Sequence, residues 1–144
     1  MELAEPIRTA IVGNAGITTN LPSYLGSFTV FTRRPVPADA LYPMIVISSG
    51  LQMGEADGLT DQRPMHVRDV IVYGSNEEAV NYRLVETLAE SVKDLFHRLW
   101  RSITVPGWKV VEIVASGPAP APTDDEQTVG RMVELAITLA KENV

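Results

Sequence analysis

One amphipathic segment limits this chain more than any other feature: a helix expected from about Asn76 to Arg101. Ser75 and Glu78 have capping-box spacing, so the hydroxyl can take an N-terminal amide while the carboxylate reaches back. Glu77 and Glu78 stand at the positive end of the helix dipole, and Arg98 and Arg101 at the negative end. Leu84, Leu88, Val92, Leu95 and Leu99 recur one turn apart and make a single apolar stripe. Pro106-Gly107 bars continuation. At 1.5 Å per residue such a helix is roughly 37 Å long. A compact domain of 144 residues is about 37 Å across, so the helix needs an equally long surface to lie on. A sheet supplies one.

The strand pattern agrees. Phe28 to Arg34, Pro43 to Ser49, Met65 to Tyr73 and Trp108 to Ala115 are β-branched or aromatic runs bounded by Gly, Pro or Ser. The segment around 128–140 carries two periods. Val129, Val133, Leu135, Ile137 and Leu139 alternate as in a strand, whereas Met132, Leu135, Ala136 and Leu139 also fit a helical stripe. The strand is the preferred reading. A short N-terminal helix, Glu2 to Val12, pairs Leu3, Ile7, Ala10 and Ile11, with Gly13-Asn14 as its stop. The order α, β, β, β, α, β, β predicts one α+β domain over 1–144. It would hold a mostly antiparallel sheet of four to five strands, with the long helix packed across it.

Composition narrows function by exclusion. The net charge of −6 argues against a basic nucleic-acid clamp or an electrostatic membrane-surface protein. Met1-Glu2-Leu3-Ala4-Glu5 carries acid where a signal peptide wants Lys or Arg, and no apolar run is long enough to span a bilayer. The absence of cysteine removes disulfides, zinc-thiolate sites, iron–sulfur clusters and cysteine nucleophiles.

No constellation points to catalysis or a cofactor. Gly13-Asn14-Ala15-Gly16 lacks the third glycine and the following helix of a dinucleotide site, and Thr18-Thr19-Asn20-Leu21-Pro22 after it reads as turn chemistry. Glu55, Asp57, Asp61 and His66 could hold Mg²⁺ or Mn²⁺, but their spacing matches no metal signature and a solvated loop explains the acids. His66 and Arg68 read as a polar strand face, and His97 as a surface residue turned from the Leu stripe. No Gly-x-Ser-x-Gly elbow is present. Trp100 and Trp108 flank the helix-to-strand turn, as a lid over the helix end or, alternatively, as an interface anchor.

Two segments of 12 to 14 residues, 50–63 and 116–127, read as loops without structure of their own. Both are acidic and Gly- or Pro-rich, a combination suited to ordering against a partner or a second subunit. The residues assigned to such contacts are Met53, Glu55, Asp57, Asp61 and Arg63 in the first, and Asp124 and Asp125 in the second. Arg33 and Arg34 join them. Adjacent on one strand, they point to opposite faces, so they form no phosphate fork but suit a solvated strand end or an intersubunit ion pair.

Several segments together resemble the small tail-completion or tail-terminator proteins of long-tailed bacteriophages and related gene-transfer particles. They are the short helix ending near Gly13, Ile17-Thr18, Arg33-Arg34-Pro35-Val36-Pro37, Tyr42-Pro43-Met44-Ile45-Val46-Ile47, and His66-Val67-Arg68-Asp69-Val70-Ile71-Val72-Tyr73 before the long helix. A closing strand pair joined by a proline- and acid-rich loop completes the pattern. The resemblance implies a structural protein, not an enzyme, located in the virion tail and assembled in the host cytoplasm without a membrane. Such proteins cap the tail tube as a sixfold ring, stop its polymerisation and offer a surface for the head. The implied partners are further copies of the chain, the tail tube protein and the head–tail connector proteins, with DNA passing through the channel without specific binding. A negative lumen suits that passage.

Three rivals stand beside this reading. A head–tail connector or neck ring component keeps the class and changes the station. A cytosolic α+β oligomer binding a small ligand or peptide would present a pocket lined by His66, Arg68 and Tyr73. A metal-dependent hydrolase would be built on Glu55, Asp57, Asp61 and His66.

Overall fold

Ile7 and Ile11, one helical turn apart and fully buried, fix the inner face of helix α1 (Ala4–Val12). It opens a computed structural model that describes residues 3–32, 36–37, 39–48, 51–56, 63–75, 79–121 and 128–141. Gly13 does not end the helical region by a left-handed turn, as the sequence suggests. It stays right-handed, and a one-turn helix α2 (Ala15–Thr18) follows, with the Asn14 side chain accepting from the Ile17 N–H at 3.1 Å. Next comes a hairpin of β1 (Ser23–Tyr24) and β2 (Ser27–Phe28), then β3 (Val30–Phe31) and β4 (Met44–Ile47). Strands β5 (Leu51–Ala56) and β6 (Arg63–Ser75), helix α3 (Ala79–Phe96), a 3-10 turn (Trp100–Ser102), β7 (Trp108–Pro120) and β8 (Thr128–Lys141) complete the order.

The architecture is α+β. The main sheet runs through five strands, β3-β4-β6-β8-β7, with β5 also paired to β6 off that path. Every pairing in it is antiparallel except β3 with β4. The ambiguous segment is a strand. It pairs with β6 from Met65↔Thr138 to Ser75↔Thr128, and with β7 on its other side. A central position rewards period two along its whole length, which outweighs the helical stripe.

Helices cover one face of the sheet. Val70 and Val72 of β6, Val133, Leu135, Ile137 and Leu139 of β8, and Ile45 and Ile47 of β4 form one core with Val85, Leu88, Ala89, Val92 and Phe96 of α3. Leu3, Ile7 and Ile11 extend it under α1. The opposite face carries a smaller cluster of Met44, Val46, Ile71 and Tyr73, against which Phe31, Val36 and Ala40 pack.

Four expectations need correction. Helix α3 has 18 residues, roughly 27 Å, rather than reaching Arg101. It stops because Arg98 adopts a left-handed φ of 62°, the role glycine usually fills, with the Leu99 N–H bonding back to Phe96 O at 3.0 Å. Its buried face runs along Val85, Leu88, Ala89, Val92 and Phe96, so Leu84 and Leu95 flank that face and Leu99 lies outside it. Ser75 ends β6, and residues 76–78, which carry the rest of the expected cap, lie outside the described residues.

The two presumed loops are the third and fourth corrections. Leu51 to Ala56 form β5, pairing from Leu51↔Val67 to Ala56↔Arg63 with a bulge between Gln52 and Gly54. Residues 116–120 continue β7, irregular between Ser116 and Ala119 but paired again at Pro120↔Arg131. Proline is tolerated there because β7 is an edge strand, where a missing N–H interrupts no ladder.

Candidate subunit-contact surfaces

Among the described residues, the large apolar side chains that remain exposed are Leu25, Leu41, Tyr42, Leu99, Trp100 and Val111. They fall on two opposite sides of the sheet. Leu25, Leu41 and Tyr42 belong to segments flanking β3 and β4, whereas Leu99, Trp100 and Val111 lie on or beside β7.

On the β3 side, Leu25 and Gly26 are the two central residues of the β1–β2 turn, with φ of 49° and 81°. Leu25 is 89% exposed. The turn is held at its base. Arg8 donates from Nε to Val30 O at 3.0 Å and from Nη2 to Ser27 Oγ at 3.1 Å, which also occupies a backbone acceptor of β3. Tyr24 donates to Asp39 Oδ1 at 2.9 Å and sets its ring edge-on to Phe31, with centroids 5.8 Å apart. The hydrogen bond to Asp39 keeps the Tyr24 hydroxyl protonated above its usual range. Thr29 Oγ1 donates to Pro43 O at 2.9 Å, tying the hairpin to the segment that carries Leu41 and Tyr42.

The β7 side is built by the end of α3. The Arg98 N–H bonds to Ile113 O at 2.9 Å, the Ala115 N–H bonds to His97 Nδ1 at 3.1 Å, and Lys93 Nζ donates to Gly117 O at 2.9 Å. His97 is therefore a half-buried acceptor on the β7 backbone, not a solvated surface residue. Arg98 also pairs with Glu112. Beyond this seam, Trp100, Ile103, Val105, Pro106 and Trp108 line a groove of about 510 Å³, with Arg101 stacked 4.7 Å over the Trp100 ring and Lys109 at its border. The two tryptophans differ in burial. Trp108 packs against the core as a lid, while Trp100 is 43% exposed.

Of the residues assigned to contacts from the sequence, three are among the described ones. Arg33, Arg34, Asp57, Asp61, Asp124 and Asp125 lie outside the described residues. Met53 and Glu55 are on β5, and Arg63 opens β6 opposite Ala56. Leu25, Leu41 and Val111 were not singled out. The Leu25-Gly26 pair between short runs is the one local signal that could have found the turn.

His66 and Arg68 form no polar open face. They are 6% and 9% exposed and lie on the helix-covered side, while Tyr73, an odd number of positions on, packs in the cluster of the other face. The three do not line one pocket. Burial first, and then the charge of Arg68, hold the His66 imidazole below its ordinary protonation range. Among the described residues no three His, Asp or Glu side chains converge as a metal site would require. No described helix is long and apolar enough to cross a membrane.

No family model and no curated protein sequence matches this chain. Its fold is nevertheless shared with a chain from a solved structure described as the virion of a native gene transfer agent particle. The TM-score is 0.68 at 12% identity, over 98% of this chain and 95% of that one. A match of that extent at that identity defines a common α+β fold from end to end.

Proposed function

We propose that this chain is a structural virion protein that closes the end of a phage-type tail tube as a ring, stops its growth and presents the surface to which the head joins. The observation that carries this reading is the pair of apolar patches on opposite sides of one sheet, on a fold shared with a gene transfer agent virion chain. Different patches on opposite sides suit head-to-tail contacts, which generate closed rings when the rotation between copies closes. The net charge of −6 on each copy suits a lumen through which DNA slides without binding. On this reading the protein is not an enzyme, needs no cofactor, and meets copies of itself, the tail tube and the connector. Six copies is the ring size that the family resemblance implies.

Electron microscopy of the purified protein with native mass, and of particles from a producer lacking the gene, tests this. Closed rings, together with tubes that outgrow their normal length, are expected. Tubes of normal length that merely lack heads would move the protein to the neck ring. A monomer that leaves normal infectious particles when deleted would overturn both and favour a ligand-binding module.

A further inference from the structure

Arg8 of α1 is a half-buried cation whose hydrogen-bond partners are neutral. Its Nε donates to Val30 O of β3 and its Nη2 to Ser27 Oγ of β2. Among the described residues the ion pairs are Arg98 with Glu112 and Arg131 with Glu86, so no described carboxylate neutralises Arg8. The two bonds fix the guanidinium plane and leave the Nη1 hydrogens without an acceptor among the described residues. A partly buried charge without a counterion is costly, and a fixed guanidinium is well matched to an oxyanion.

Arg8 lines a pocket of about 380 Å³ between α1, the β1–β2 hairpin and β3. The hydroxyls of Ser27 and Thr32 join it there. The Ser27 oxygen accepts from Arg8, so its own hydrogen is available to donate. Phe28, Phe31 and Pro37 supply an apolar wall. Asp39 reaches the rim through the Tyr24 hydroxyl, which donates to it, and is itself exposed. One arginine with one acid beyond it admits a single negative charge and opposes a second.

We propose that this pocket binds a monocarboxylate on an apolar stem. Arg8 and the two hydroxyls take the carboxylate, the stem lies along Phe28, Phe31 and Pro37, and Asp39 turns away dianions such as phosphate. A free arylalkyl acid has this chemistry, and so does the C-terminal residue of a peptide, whose α-carboxylate stands beside an apolar side chain. Binding here needs one subunit and does not depend on ring formation.

The test is a magnetic-resonance titration of the full-length protein, followed at the Arg8 Nε–H and at the amides of Phe28 and Thr32. Phenylacetate is expected to saturate these signals at about millimolar concentration, whereas phenylacetamide, its neutral counterpart, leaves them unmoved. Arg8→Gln is expected to weaken phenylacetate by at least about tenfold. Melting checks that this variant folds, and the acid–amide comparison on the parent protein stands without it. N-acetyl-phenylalanine separates the sources: binding tighter than phenylacetate assigns a peptide C-terminus, and weaker binding a free acid. No saturation by phenylacetate, acid and amide that bind alike, phenylacetate held equally by folded Arg8→Gln, or inorganic phosphate held more tightly than phenylacetate each overturn the site.

Discussion

The two sides of the sheet are finished by opposite means. At β7 the backbone is sealed by the end of α3, through His97, Arg98 and Lys93, and the apolar surface is a recess framed by rigid aromatics. At β3 only two residues pair with the sheet, one arginine holds the carbonyl, and the apolar surface is a projection. The difference separates two kinds of energy. The recess draws its shape from the core, so damage there costs folding first. The projection draws almost nothing from the core, so on the ring reading damage there costs association and not folding.

That contrast can be broken or sharpened by substitution. The largest effect is expected from Phe96→Ala, which empties the fully buried end of α3 where it meets β7. Unfolding by denaturant should show a loss of about 3–5 kcal/mol, and an unchanged midpoint would mean that β7 is held without the helix. Gly117→Ala comes next. At φ 111° its new Cβ would lie 2.7 Å from Met132 O, and a loss of about 2–3 kcal/mol is expected in the same assay. On the projecting side, Leu25→Asn should have the opposite sign. Relief of the turn should raise monomer stability by about 1 kcal/mol while association weakens, read by melting and by native mass. A parallel change in both would erase the distinction.

The smallest effect concerns the ground between the two sides. His66 on β6 is favoured neutral when folded, by burial and by Arg68, so its folded proton affinity lies below the ordinary value of 6.5. Below 6.5 the unfolded chain therefore binds more protons than the folded one. Stability should fall as pH drops from 6.5 towards the lower folded value, and the slope should vanish above 6.5. His66→Leu should flatten that acid limb in a series of denaturant titrations, since nothing then remains to protonate at the site.

Much of the fold was legible because it rests on local pattern. The apolar alternation of Val129 to Leu139 and the stripe through Leu88 and Val92 each identify an element and one of its buried faces. The errors share a physical cause. Arg98 ends α3 in a conformation that no residue type there announces, so the stripe is read on to Leu99. Pro118 and Pro120 signal a loop to local inspection, and only the edge position of β7 makes them acceptable in a strand. The exposed apolar patches were the least legible part. Leu25 and Trp100 are 75 positions apart in sequence, and what relates them is the order of strands between them, which no local window contains.

The strand latest in sequence is not at the border of the sheet but inside it, with β6 on one flank and β7 on the other. During synthesis, β6 and β7 therefore have no common neighbour until residues 128–141 have left the ribosome. Until then the partners that supply Val133, Leu135, Ile137 and Leu139 to the core are missing, and the domain cannot close around α3. Up to that point the apolar face of α3 and the facing flanks of β6 and β7 lack their cover, the condition in which a chain is open to non-native contacts.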